Sequence, residues 1–477
     1  MSAPRPRPAA PHGAAPSVAA AADVVPSAET LRARRLMLGL FVLLGVTVSS
    51  WLARLPTVRD ALDLGTAELG TILLVGAMGS LATVLVAGPV VARLGTARTM
   101  VVAAGLFAAA SVLLGLGPTV GSVVVLTAGV FAMSVSFALG NVPLNVETAV
   151  IERAMGRTVV PQFHAAFSVG SVIGSLLGAA ASWAQVPVLV QFTVVGLGAL
   201  LWRLLAIPGA VLPSAPEPVA AAGAQDAAPR RRGAGMRASL AAWREPRTLL
   251  IGLLVMTGAL SEGSANNWLA IAVVDGFAQT EAVAAVVFGV FVGSMTVSRL
   301  AGSWLLDRFG RVVILTASGA FAFVGILVFG TAPGLPLAIA AVVAWGLGAG
   351  LVIPIGMAAA ANDPLRAAGR IAVVSAFASV SALAAPPLLG MAAEVWGARQ
   401  ALMLIAVFML LTIGLAAVTQ DRPAAQPRSG PAPSPAHGAR ARPAVRVVRP
   451  AQAGRTRPER RKASAAAVKV PAREPVG

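Results

Sequence analysis

The sequence predicts an all-α polytopic membrane protein with about twelve transmembrane helices in two six-helix halves. Three observations predict it. The chain of 477 residues is 57% hydrophobic and 12% charged, with a mean hydropathy of +0.81; a soluble domain carries about 25% charged residues. The apolar block from Leu36 to Thr419 has room for about twelve helices of the roughly 20 residues that a crossing needs. A charged turn, Asp307-Arg308-Phe309-Gly310-Arg311, lies between two apolar stretches and has a worn copy in the first half. That copy runs from Gly88 to Gly95 with Arg98 beyond it, and it matches Arg93 to Arg308 and Gly95 to Gly310.

The elements follow in order. Residues 1–35 are rich in Pro and Ala without an apolar run, and read as a disordered cytoplasmic arm. Arg34-Arg35 before an apolar run resembles the start of a cleaved signal, but eleven more apolar segments follow, so the first is read as a retained span. The spans are expected at 36–54, 67–90, 99–116, 121–144, 163–183 and 187–204 in an N-terminal half, 36–205. A cytoplasmic linker, 206–247, follows, with Arg230-Arg231-Arg232 and a surface helix from about Ala234 to Trp243. The C-terminal half, 248–420, holds spans at 248–270, 282–305, 312–330, 335–358, 371–391 and 398–418. The tail, 421–477, has 13 Lys or Arg against three acids and no aromatic residue. It lacks the stacking platforms of nucleic-acid binding and reads as a solvated basic segment with weak attraction to anionic lipid.

Alternating connections place 15 arginines on one face, Arg93, Arg203, Arg308 and Arg366 among them, and three on the other: Arg54, Arg59 and Arg399. The positive-inside rule makes the first face cytoplasmic, and an even span count then puts both termini there. Trp51, Trp183, Trp268, Trp396, Trp202, Trp243 and Trp304 fall near span ends as interface anchors, whereas Trp345 falls at mid-depth. The chain has no Cys and three His, which excludes disulfides and thiolate chemistry and disfavours a structural zinc site. Neither a nucleophile–base pair nor a phosphate-binding loop is visible, so no enzyme and no cofactor are expected. The Arg, Ala and Gly excess fits a bacterial gene.

Ionisable residues inside spans are costly, by about 2.5 kcal/mol or more near a helix centre. Glu262 lies in the seventh span with Asn266 on the same helix face and Asn267-Trp268 beside it. In a dry bundle its pKa is expected to rise toward neutrality, which suits a proton carrier; a polar packing contact is the other reading. In the fourth span Pro143 frees a carbonyl, and Asn141 and Asn145 share a face able to meet a hydroxylated ligand. Gly350 to Pro354 is a possible matching break in the tenth span, and paired breaks point to a central site. Glu147 lies near an inner end and can reach the interface. His164 opens the fifth span, where protonation would permit gating. Gly170, Gly174 and Gly178 repeat at the spacing that lets helices approach closely. Arg54 sits at an outer span end within reach of water, as a gate or substrate contact, and Arg299 reads as an ion partner on the cytoplasmic side.

The two basic turns resemble the loop signature of the major facilitator superfamily of secondary transporters. Trp51-Leu52-Ala53-Arg54-Leu55-Pro56, Phe163-His164-Ala165-Ala166-Phe167-Ser168, Glu262-Gly263 and Ala385-Pro386-Pro387-Leu388-Leu389-Gly390 are similar to the bacterial fucose-permease-like branch. The resemblance covers about 36–420. It implies proton-driven uptake of sugars or other small polar solutes, a site between the halves, and a turn whose Asp pairs with a neighbouring helix end. Two positions depart from it. Ala92 stands where the first turn's Asp is expected, and Asn141 stands where sugar porters of the branch carry a titrating acid. The Gly-Pro step of antiporters is absent from the fifth span, which makes drug efflux less favoured.

The expectation is a proton-coupled secondary transporter of a small polar, sugar-like solute, working by alternating access in a bacterial inner membrane. A monomer embedded in lipid, without nucleic-acid partners, is expected. Glu262 and His164 are the expected proton-coupling residues. Asn141, Asn145, Asn266, Asn267, Trp268 and Arg54 are the expected substrate contacts, and Asp307, Arg308, Gly310, Arg311, Arg93 and Gly95 the gating turns. An exporter of an amphipathic compound, and a sensor or scaffold that has lost transport, are the alternatives.

Overall fold

The computed structural model describes residues 26–157, 159–212, 241–362 and 366–420. The arm up to residue 25, the linker from 213 to 240 with its arginine triplet, and the tail 421–477 lie outside the described residues. Regular structure among the described residues is helical throughout.

Among the described residues, eleven helices are long and apolar enough to cross a membrane. One of them, Glu281–Thr331, has 51 residues. At 1.5 Å per residue it would measure about 77 Å, more than twice the roughly 30 Å of a hydrocarbon core. Gly310 divides it with φ 76° and ψ 164°. That conformation is open essentially to glycine alone. Gly95, at the end of the Arg93 turn, has φ 79° and ψ 162°. The two basic turns therefore share one backbone geometry, as the duplication predicts, and the described residues make twelve crossings.

The first span is the helix Ala28–Leu52. It starts before residue 36 because Ser27 caps it, its hydroxyl accepting from the Thr30 N–H, and Glu29 sits in the positive first turn. Residues 28–35 are thus helical, a correction to the disordered arm. A short helix, Leu55–Asp60, leads into the second span, Thr66–Leu94. The third to sixth spans are Thr96–Thr119, Val123–Met155, Val160–Trp183 and Val188–Ala210. The seventh is Pro246–Phe277, and the eighth and ninth meet at Gly310. The tenth breaks into Leu335–Ala349 and Val352–Ala361, and the eleventh is Ala367–Trp396. The twelfth is made of Ala398–Ala401, Leu404–Leu415 and a 3₁₀ turn, Ala416–Thr419.

Only one of the two expected breaks occurs. The fourth helix runs unbroken through Pro143 to Met155, while the tenth parts at Gly350 and Leu351. The first span packs on the fifth at backbone distance. The Val42 carbonyl occupies the place of a side chain at Gly170, and Val46 does the same at Gly174, as the small-residue stripe predicts. The halves meet through two symmetry-related pairs, the second span on the eleventh and the fifth on the eighth. Trp183, Trp202, Trp243, Trp304 and Trp396 are exposed on the helical surface, as anchors should be. Trp51 and Trp268 are buried instead, so those two are not interface anchors.

Candidate functional site

Glu262 projects from the seventh helix and accepts a hydrogen bond from Arg299 of the eighth at 2.8 Å. The same guanidinium donates through Nε to the Gly350 carbonyl at 3.1 Å. The sequence explains why that carbonyl is available. Its helical donor would be the N–H of residue 354, which is Pro354 and has none. One arginine thus joins the central acid to the broken tenth span. Beside it, Trp345 Nε1 donates to the Ser261 hydroxyl at 2.8 Å, with the indole fully buried. Trp345 is accordingly a packing residue at mid-depth.

The expected dry, isolated carboxyl is corrected here. The Glu262 and Arg299 side chains are 21% and 27% exposed, so the pair faces an opening. His164 of the fifth helix is exposed, lies edge-on to Phe41 with centroids 5.7 Å apart, and is within electrostatic range of Arg299. It brings the N-terminal half to the same charge cluster.

A cavity of about 250 Å³ lies between the halves. Thr47, Trp51, Ser80, Ser134 and Phe137 line it from the N-terminal half, and Asn267, Ala382 and Pro386 from the other. Asn267 is therefore placed on the cavity, and Asn266 is half-buried on the same helix. Trp268 is 1% exposed, in a hydrophobic core to which both halves contribute, and does not line the cavity. Its counterpart in the other Trp-Leu-Ala triplet, Trp51, does. Asn141 and Asn145 lie off the cavity wall and bond each other, the Asn145 amide donating to the Asn141 carbonyl at 2.8 Å and to its Oδ1 at 3.0 Å.

The arginine-poor end of the cavity is clasped shut. Arg54 is 4% exposed, so it does not reach water as expected. It pairs with Glu281 at 2.9 Å and donates to Gln191 Oε1 at 2.9 Å. Glu281 also accepts from the Thr57 N–H at 2.8 Å, Arg59 forks onto Asp275, and the Thr66 hydroxyl donates to Glu394 at 2.8 Å. Each of these acids belongs to the C-terminal half and each partner to the N-terminal half. Sequence reasoning missed Glu281, Asp275 and Glu394. Their signal was three acids at span ends on a face otherwise short of charge.

The arginine-rich end is different. Arg93, Gly95, Asp307, Arg308 and Gly310 are exposed, and Arg308 lies over the Phe309 ring at 5.9 Å. Asp307 makes no ion pair among the described residues, which corrects the expected pairing with a helix end. In this conformation the turn stands open.

A family model for the Major Facilitator Superfamily matches residues 2–158 and 162–371. The chain belongs to the major facilitator superfamily. It is 30% identical over 397 residues to the uncharacterized transporter y4wD of Sinorhizobium fredii, covering 80% of this chain and 96% of that one. Membrane protein MosC of Rhizobium meliloti is 24% identical over 395 residues, with 80% of this chain and 88% of that one covered. Among solved structures, the nucleoside transporter NupG superposes with a TM-score of 0.62 at 14% identity, covering 83% of this chain and all of that one. The transporter FucP in its outward conformation gives 0.60 at 15% identity with the same coverage. These two likenesses show the fold. This superfamily member is a multi-pass membrane transporter, not an enzyme.

Proposed function

We propose that the protein is a proton-coupled secondary transporter of a small polar solute, working as a monomer by alternating access. In this reading the arginine-rich face is cytoplasmic, both termini lie in the cytoplasm, and the membrane is the bacterial inner one. The reading is carried by the Glu262–Arg299–Gly350 chain, whose Glu262 is on the same helix as Asn267 of a cavity between the halves that is clasped at one end. A proton on Glu262 removes its charge and releases Arg299 from the acid. The tenth-span break, which Arg299 holds, is then free to shift. Asn141 does not titrate and bonds Asn145, so the N-terminal half offers no equivalent carboxyl at that position. Asn267, Ser80 and Ser134 supply the hydrogen bonds for a hydroxylated solute, the Thr47 hydroxyl hydrogen being given to the Leu44 carbonyl at 2.9 Å. The resemblance to a fucose:proton symporter supports this reading.

One observation favours the efflux alternative. Most of the cavity wall is apolar, with Trp51, Leu52, Leu73, Met133 and Phe137, which suits an amphipathic compound. The experiment is uptake into proteoliposomes of a panel of neutral sugars, nucleosides and amphipathic drugs, with and without an imposed pH gradient. Accumulation of a hydroxylated solute only with an inward proton gradient supports the proposal. Transport of the amphipathic compounds alone replaces it with the alternative.

A further inference from the structure

Its place in the chain counts Arg203 among the arginines of a loop-bearing face, yet it lies inside the sixth helix, Val188–Ala210, two turns before the end. Its side chain is half-buried, with the guanidinium 4.6 Å from the centroid of the Phe107 ring. It lines a cavity of about 40 Å³ formed within the N-terminal half by the first, third, fourth and sixth spans. Among the described residues Arg203 has no ion pair and no hydrogen bond; its one polar contact is the aromatic face. A cation held in a membrane helix bundle without a counter-ion is an expensive arrangement, and an anion beside it relieves the expense.

The walls offer no counter-ion of their own. Ser136 lines the cavity, but its hydroxyl hydrogen is given to the Ala103 carbonyl at 2.8 Å. The acid on the same stripe of the fourth helix is Glu147, one turn beyond Leu144. It accepts from the Leu212 N–H just past the sixth span and lies near Thr96 at the start of the third, while its Oε2 is buried without a hydrogen-bond partner. Helical spacing puts Met100, Leu144 and Ile207, all cavity walls, about one turn back from those contacts. An apolar layer therefore parts the cation from the acid. On the other side, Phe137 lines both this cavity and the central one, so its ring is the partition between them.

We propose that the Arg203 cavity is a binding site for one small anion, a halide or a carboxylate group, reached from the central cavity past Phe137. A water needs roughly 10–15 Å³ of such space, so the cavity admits an ion of that class and little more. The guanidinium supplies charge and donors, and the apolar walls exclude competing water. The anion has two possible sources, a free ion or the carboxylate end of a molecule lying in the central cavity. The proposal is independent of the coupling role given to Glu262, because binding is read without transport.

The test uses the purified full-length protein in lipid nanodiscs. Its thermal midpoint is followed while sodium chloride or sodium acetate replaces sodium gluconate at constant ionic strength. A saturable rise of several degrees is expected for the parent and for Arg98→Gln, an exposed arginine in the first turn of the third span. The rise is expected to vanish in Arg203→Met. A flat or non-saturating response in the parent, or an equal response in Arg203→Met, overturns the site. Should Arg203→Met fail to fold, bromide-soaked crystals of the parent decide: an anomalous peak beside the Arg203 guanidinium supports the site, and its absence overturns it. Labelled benzoate separates the sources. Uptake that is lost in Arg203→Gln assigns the anion to the solute, whereas chloride stabilisation without benzoate uptake assigns it to a free ion.

Discussion

At the scale of single residues, charge partners decide what each ionisable group does. Arg54 and Arg299 illustrate this. The sequence offers Arg54 as a gate or substrate contact at an outer span end and Arg299 as an ion partner on the cytoplasmic side. The first is buried in a clasp with Glu281 and Gln191; the second links Glu262 to a carbonyl orphaned by Pro354. Asp307 has no such partner in this conformation, and Ala92 has none to lose. Asp307→Asn is therefore expected to slow transport at matched expression, while Ala92→Ser leaves it within twofold. The physical reason is that a cycle closing the arginine-rich end brings Asp307 against helix ends, where a lost charge leaves a cation unpaired. Initial rates in proteoliposomes check this, and equal rates for the Asn variant and the parent refute it.

At the scale of elements, backbone geometry and helix caps set the frame. Gly310 sits where only glycine is comfortable, so Gly310→Ala is expected to lower stability by about 1–3 kcal/mol. Gly88 has open space around it, so Gly88→Ala is expected to be neutral or mildly stabilising. Thermal unfolding of the two variants beside the parent reads the contrast. Glu245, at the start of the seventh helix, accepts from Arg370 at 2.7 Å, Arg366 at 3.2 Å and Thr248 at 2.9 Å. The Arg370 hydrogen bond, above all, holds its carboxyl below the usual range. A depressed folded value stabilises above the unfolded value of about 4.3 and is lost as pH falls through the folded one. The gap in thermal midpoint between the parent and Glu245→Gln should thus be open at pH 7 and close below about pH 4. A gap that persists in acid means that the carboxylate charge is not what fastens these helices.

The same scale shows what was legible in the sequence. Length and apolarity give the twelve crossings, and the paired Gly95 and Gly310 give the duplication, because composition and turn chemistry are local. The Gly170 stripe was legible for the same reason. The rotation of each helix was not. Trp51 and Trp268 stand in identical Trp-Leu-Ala triplets, yet only Trp51 reaches the cavity. Periodicity is too weak here to choose a face, since helices surrounded by lipid are apolar on every side. Partners distant in sequence were equally hidden. Nothing local to Glu262 announces Arg299, or announces that Arg54 meets Glu281. Pro143 and Pro354 looked equivalent, but the fourth helix absorbs its proline and the tenth does not.

At the scale of the whole molecule, two halves enclose one cavity, and their polar contacts cluster at the arginine-poor end. Movement requires that clasp to open. The chain has no native Cys, so a Thr66→Cys/Glu394→Cys pair joined by a short thiol cross-linker should arrest transport, and a cleavable linker should restore it on reduction. Unchanged transport with the cross-link complete would rule out opening at this end. The central claim is that Glu262, paired with Arg299, couples solute movement to protons. Glu262→Gln keeps the size and hydrogen bonding of the side chain but cannot release a proton. The measurement is accumulation of a transported solute against its gradient at several external pH values, beside counterflow without a gradient. Glu262→Gln is expected to lose pH-driven accumulation and to keep counterflow within severalfold of the parent. Accumulation by Glu262→Gln with the parent's pH dependence would contradict that coupling role and leave Glu262 as a packing partner of Arg299.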